Sequence, residues 1–127
     1  MHAFAESYNL KRIILRKSIQ IIGSGAFKNC KKLESVVIED DIGINFISNE
    51  CFKNCYAIKE LSIPKQIANV ATSAFKHCYS LQSISLTANN ICINDNAFAD
   101  CIQLKTVNGS NHIKTIGDFS FSKCKNL

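Results

Sequence analysis

The chain has 127 residues, of which 46% are hydrophobic and 20% charged, with a formal net charge of +5. These values describe one ordinary globular domain and exclude a disordered chain. No apolar run approaches the roughly 18 residues of a membrane-spanning helix, and a basic excess this modest does not by itself call for nucleic acid.

The chain opens with "MHAFAESYNLKR", which has no basic head followed by an apolar block, so no signal peptide is visible there. Next comes "RIIL" (Arg12 to Leu15), a short stretch that alternates Ile13 and Leu15 with Arg12, Ile14 and Arg16. Alternation with β-branched residues predicts a half-buried strand. An isoleucine pair, Ile19 and Ile22, follows. Then come Ser24, a good helix N-cap, and "AFKNC" (Ala26 to Cys30). Ala26, Phe27 and Cys30 share one face of a helical turn, so a short capped helical turn is expected here.

This phrase returns along the whole chain. Phe27, Phe52, Phe75, Phe98 and Phe121 stand 25, 23, 23 and 23 residues apart, each with a cysteine three residues on, and Phe4 begins an earlier copy with Ser7 in place of cysteine. Leu10, Leu33, Ile58, Leu81, Leu104 and Leu127 form a second column. Ile22, Ile47, Val70, Ile93 and Ile116 form a third, and the cap column reads Ser24, Asn49, Thr72, Asp95 and Asp118. The longer first step places two extra residues around Glu39 to Ile44. A unit this short cannot bury its apolar face alone, so successive units must stack. The prediction is a repeat solenoid of about five coils of 23 residues, with one parallel β-sheet on one face and short helical turns on the other.

With these columns in place, the chain resembles the BspA-like class of leucine-rich repeats. "IGSGAFKNCKKLESVVI" (Ile22 to Ile38) matches its pattern closely, and "LSIPKQIANVATSAFKHCYSLQSISL" (Leu61 to Leu86) adds its proline at Pro64. Departures are Ser7 for cysteine, Cys51 for alanine, Gly109 for an apolar strand residue, and the missing proline at Arg16, Glu39, Thr87 and Ser110. The resemblance implies a non-catalytic, leucine-rich-repeat interaction module, part of an adhesin-like protein at the cell surface or secreted.

The seven cysteines lack the paired spacing of a zinc site, and five of them belong to the inward repeat column. There cysteine acts as a small buried hydrophobe, so Cys30, Cys55, Cys78, Cys101 and Cys124 are expected to be reduced and buried. His2, His77 and His112 occupy unrelated places in their coils, and no phosphate loop or nucleophile motif is present. Neither an enzyme nor a cofactor is expected. Asp40 and Asp41 fall in the insertion and read as solvated loop.

Two surfaces remain. Lys28, Lys53 and Lys76, beside Tyr8, Tyr56 and Tyr79, would suit single-stranded nucleic acid, yet the lysine column lapses to Ala99 and Ser122, so no nucleic-acid partner is expected. The outward sheet face carries Arg12, Ile14 and Arg16, then Val37 and Glu39, then Glu60 and Ser62, then Ser83, Ser85 and Thr87, then Thr106 and Asn108. Solenoids use such faces for recognition, and these twelve residues form the candidate site for a protein or glycan ligand. The plain alternative is a set of strand-compatible surface residues on an architectural spacer. Asn108-Gly109-Ser110 is also a glycosylation sequon. Finally, neither end carries a polar capping repeat. The expectation is a fragment of a longer array, or end-to-end self-association, with Ile13, Leu15, Phe121 and Leu127 partly uncovered.

Overall fold

The computed structural model describes residues 3–127; Met1 and His2 lie outside the described residues. The chain winds as a solenoid. Its front strands are β1 (Arg12–Leu15), β2 (Ser35–Ile38), β4 (Glu60–Ile63), β6 (Ser83–Leu86) and β8 (Thr106–Asn108), and its back strands are β3 (Phe46–Ile47), β5 (Asn69–Val70), β7 (Ile91–Ile93) and β9 (Ile113–Ile116). All pairings are parallel. Front strands alternate as predicted: Val36, Leu61 and Ile84 point into the core, as do Leu15, Ile38, Ile63 and Leu86. Of the end residues, Ile13 and Phe121 are half-buried and Leu127 is 55% exposed, whereas Leu15 is covered because its side chain points inward.

Two details depart from the sequence reading. The isoleucine column at Ile47, Val70, Ile93 and Ile116 forms a second parallel sheet, ordered β3-β5-β7-β9. The segments carrying the phenylalanines are not helical, and among the described residues only Ser110–His112 makes a helical turn, of 3₁₀ type. The reason is backbone conformation. Residues two before and two after the repeat phenylalanines from Phe27 onward are left-handed: Gly25 and Asn29 (φ 64° and 63°), Ser73 and His77 (58° and 65°), Asn96 and Asp100 (58° and 60°). A left-handed residue every fourth position cannot propagate a right-handed helix.

That geometry divides the backbone amides between local and inter-coil bonds. Lys28 N–H and Cys30 N–H bond within the turn, to Gly25 O and Phe27 O, while Gly25 N–H, Phe27 N–H and Asn29 N–H reach Asn49 O, Cys51 O and Lys53 O of the next coil. The same alternation recurs at every boundary between turns. A helix this short would leave its terminal amides and carbonyls unpaired, and the stacked turn pairs them instead. The expected cap residues act instead mainly through their backbone: Asn49, Thr72, Asp95 and Asp118 contribute carbonyls to the inter-coil ladder, and the Asp95 carboxylate accepts the Asp118 N–H of the next coil at 2.8 Å.

Inside the turns, Phe4, Phe27, Phe52, Phe75, Phe98 and Phe121 form one stack, with successive ring centroids 5.2 to 5.5 Å apart and planes within 8°. Cysteine has a specific task beside it. Each column thiol donates to the carbonyl of the preceding phenylalanine: Cys30 Sγ to Phe4 O (3.1 Å), Cys55 to Phe27 O (3.2 Å), Cys78 to Phe52 O (3.4 Å), Cys101 to Phe75 O (3.4 Å) and Cys124 to Phe98 O (3.2 Å). All seven cysteines are free thiols. Cys124, in the last of these turns, is half-buried rather than buried. Burial pushes the Cys51 thiol up to about 12 and raises Cys55, Cys78 and Cys101 well above their ordinary 9.0. These groups stay protonated, and Cys55, Cys78 and Cys101 among them serve as hydrogen-bond donors, unlike reactive cysteines, whose pKa is lowered.

The front sheet is not continuous. It comprises β1-β2 and β4-β6-β8, and β2 is not hydrogen-bonded to β4. At the corresponding places in other coils, Glu39 N–H donates to Leu15 O and Thr87 N–H to Ile63 O. Here the equivalent donor is Pro64, which has no N–H to offer Ile38. The break falls at the coil with the two extra residues, which pass through Gly43; a side chain at Gly43 would meet Ile19 O at 2.9 Å. At the other end, Gly109 (φ 81°) stops β8 after three residues, with its backbone lying against Leu86 O.

Candidate functional site

The interruption between β2 and β4 opens a groove of about 470 Å³ on the front face. It brings together five of the predicted residues, Val37, Glu60, Ser62, Ser83 and Ser85, with Glu34, Ser35 and Lys59. Parts of Val36 and Leu61, otherwise buried, reach its floor. Val37, on one wall, is 40% exposed and continues the apolar row begun by its register partner Ile14. The rim carries two carboxylates and one ammonium. The polar wall is made of serines, each able to donate and to accept.

Glu34 and Lys59 were not singled out from the sequence. Each sits one residue before its strand, where alternation assigns no face. Pro64 was the usable signal, since a proline beside a central strand marks a place where a ladder bond cannot form.

The other seven predicted residues lie outside the groove. Arg12 and Ile14 are exposed on β1, beyond β2. Arg16 and Glu39 pair with each other across a coil boundary at 3.5 Å, and Glu39 also accepts the Lys17 amide. Thr87 donates its hydroxyl to Ile63 O at 2.9 Å and borders a separate depression with Asp40, Asp41 and Lys65. Thr106 and Asn108 stand exposed on β8.

The turn side holds the lysine and tyrosine columns. Glu50 bridges Lys53 (2.9 Å) and Lys28 (3.3 Å), and hydrogen bonding from Lys53, with Lys28 after it, holds its carboxyl below the ordinary 4.5. Tyr56 and Tyr79 stack at 4.9 Å, with the Lys31 ammonium 5.6 Å from the Tyr56 ring centre. His77 bridges Asn54 (Nδ1, 2.8 Å) and Asp100 (Nε2, 2.9 Å). Both imidazole nitrogens are thus occupied by neighbouring side chains. Two of the three lysines in the column share one carboxylate, which cancels half of their charge. That is a poor start for a groove that must track phosphates.

Comparison with known proteins agrees with this architecture. A family model described as "BspA type Leucine rich repeat region" matches residues 1–127 in six copies. No curated protein is significantly similar to the chain. Among solved structures, a leucine-rich cell surface protein from Faecalibacterium prausnitzii A2-165 is 27% identical with a TM-score of 0.70, covering 78% of this chain and 26% of its own. A leucine-rich repeat protein of T. pallidum is 21% identical with a TM-score of 0.72, covering 98% of this chain and 68% of its own, and shares the fold. The chain therefore spans about a quarter of the length of the F. prausnitzii protein.

Proposed function

The chain belongs to the BspA-type leucine-rich repeat family, and from that premise we propose that it is a non-catalytic interaction module that holds an extended segment of a partner protein in the front groove. One observation carries the reading: the sheet opens between β2 and β4 and gathers Val37, Glu60, Ser62, Ser83 and Ser85 into one concavity. An extended segment fits such a place because alternate side chains can rest on Val37 and hydrogen-bond the serines. The carboxylates of Glu34 and Glu60 against the single Lys59 favour a partner segment with a basic residue.

Likeness to a bacterial cell-surface protein supports a surface or secreted, adhesin-like setting for the protein that carries this module. Peptide libraries displayed on phage test the site. Peptides enriched on the wild-type chain should lose binding to the Ser62→Arg, Ser85→Arg variant, whose thermal melt should be nearly unchanged because both side chains face outward. Equal binding to the variant would move the site off the front sheet. A complete failure of enrichment would favour an architectural spacer.

A further inference from the structure

The back sheet has its own concavity, of about 630 Å³, within the range of about 300–1,000 Å³ usual for small-ligand clefts. Its outward residues follow from the register: Phe46 pairs with Asn69, Asn69 with Cys92, and Cys92 with Thr115. Asn45 and Asn49 flank Phe46, and Asn90 and Lys114 close the far side. Of the lining asparagines only Asn69 lies in a strand; Asn45, Asn49 and Asn90 sit in the bends and turns beside β3 and β7, and all four converge with the exposed Phe46 on this one concavity.

From this lining we infer that the back-sheet concavity is a binding site for an oligosaccharide. A carboxamide presents a donor and an acceptor side by side, which matches adjacent hydroxyls on a sugar ring. Asn45, Asn49 and Asn90 are exposed. Asn69 is oriented by Asn94, whose Nδ2 donates to Asn69 Oδ1 at 2.6 Å, leaving the Asn69 NH₂ as a donor. Ser48 is not part of the polar set, because its hydroxyl is already bonded to Ile22 O. Phe46, 47% exposed, supplies an apolar face on which the C–H side of a sugar ring can rest.

Charge narrows the ligand. The lining holds one ammonium, Lys114, and no carboxylate. A nucleic-acid strand needs several cations along its backbone, and a basic peptide would meet no counter-charge. A sugar chain with many hydroxyls and a single carboxylate satisfies both the amides and the lysine. The site is separate from the front groove, so its fate does not depend on the peptide reading above.

The test uses 3′-sialyllactose and lactose as probes. Backbone amide shifts in the NMR spectrum should move saturably at Phe46, Asn69 and Cys92, with sialyllactose the tighter binder at a Kd of about 1 mM or below. Phe46→Ala should weaken binding about tenfold, the effect of losing roughly 1.4 kcal/mol of contact. Lys114→Gln should bring sialyllactose to the level of lactose. Cys92 gives a second readout: its half-buried thiol lies in the floor, and its alkylation by iodoacetamide, followed by peptide mass mapping, should slow when sugar is bound. The inference is overturned if neither sugar produces saturable shifts on this face up to about 10 mM, if Phe46→Ala binds as well as wild type, or if the shifts map to the front groove.

Discussion

The turn side and the front sheet of this solenoid treat the same irregularity differently. At the 25-residue coil the turn side continues unbroken: Phe27 and Phe52 stack at 5.2 Å, Cys55 donates to Phe27 O, and Phe27 N–H reaches Cys51 O. At that same coil the front sheet parts between β2 and β4. Register between coils is therefore held by the phenylalanine stack and the thiol–carbonyl bonds, while the sheet is free to open. A solenoid with a rigid spine can vary one face, as recognition requires, without losing its stacking.

The largest expected effect strikes the spine through pH. Cys51, Cys55, Cys78 and Cys101 are all raised by burial above an ordinary 9.0. Above pH 9 the unfolded chain loses these protons while the folded chain keeps them. The unfolded state then binds fewer protons, and stability falls as pH rises. Each thiol contributes up to about 1.4 kcal/mol per pH unit, and four together on the order of 5 kcal/mol one unit above pH 9. That is comparable with the whole stability of a small domain, about 5–15 kcal/mol. Urea midpoints at pH 7.5, 9 and 10 should fall steeply over the last step. A midpoint flat to pH 10 would mean that the thiols are not held protonated by the fold.

A pair of truncations makes the next comparison. Phe75→Ala removes a ring buried at the centre of the stack and should cost about 3–5 kcal/mol. Val37→Ala trims a half-exposed residue of the groove wall and should cost under about 1 kcal/mol. Denaturant curves for the two variants measure both. Similar costs would place the structural spine on the sheet as much as on the turns.

How far these regions are legible in sequence depends on how many residues each coil commits to them. A front strand of four residues shows two inward positions, such as Leu61 and Ile63, so alternation is visible and the outward face follows from it. A back strand such as Phe46–Ile47 shows a single inward residue, and one residue has no period; its column could be read but not its conformation. The turns mislead for a different reason. Ala26, Phe27 and Cys30 point inward at spacings that a helix would also produce, and the left-handed positions are filled by Glu50, Ser73, His77 and Lys123 as well as by glycine and asparagine. Only some of these residue types announce positive φ. The groove was half legible. Its serines and Val37 lay on the expected face, but the proline that stands at the opening is one that the repeat pattern itself contains, so it read as conformity to the motif.

That proline gives the smallest and most discriminating prediction. Pro64→Thr installs the residue that the next coil carries at Thr87, which donates its N–H to Ile63 O. If the missing donor holds the sheet open, the new amide should reach Ile38 O and draw β4 toward β2. A ladder bond contributes about 0.5–1.5 kcal/mol, while losing proline frees the unfolded chain by about 0.4–1 kcal/mol. The two nearly cancel, so the melt should shift little. Hydrogen exchange and NMR contacts resolve what the melt does not: the amide that the substitution introduces should be protected, new contacts should join Ser62 to Val36, and peptide binding in the groove should weaken. An unprotected amide with the groove unchanged would assign the opening to the two extra residues at Glu39 to Ile44, and deleting Asp40 and Asp41 would then be the change that closes the sheet.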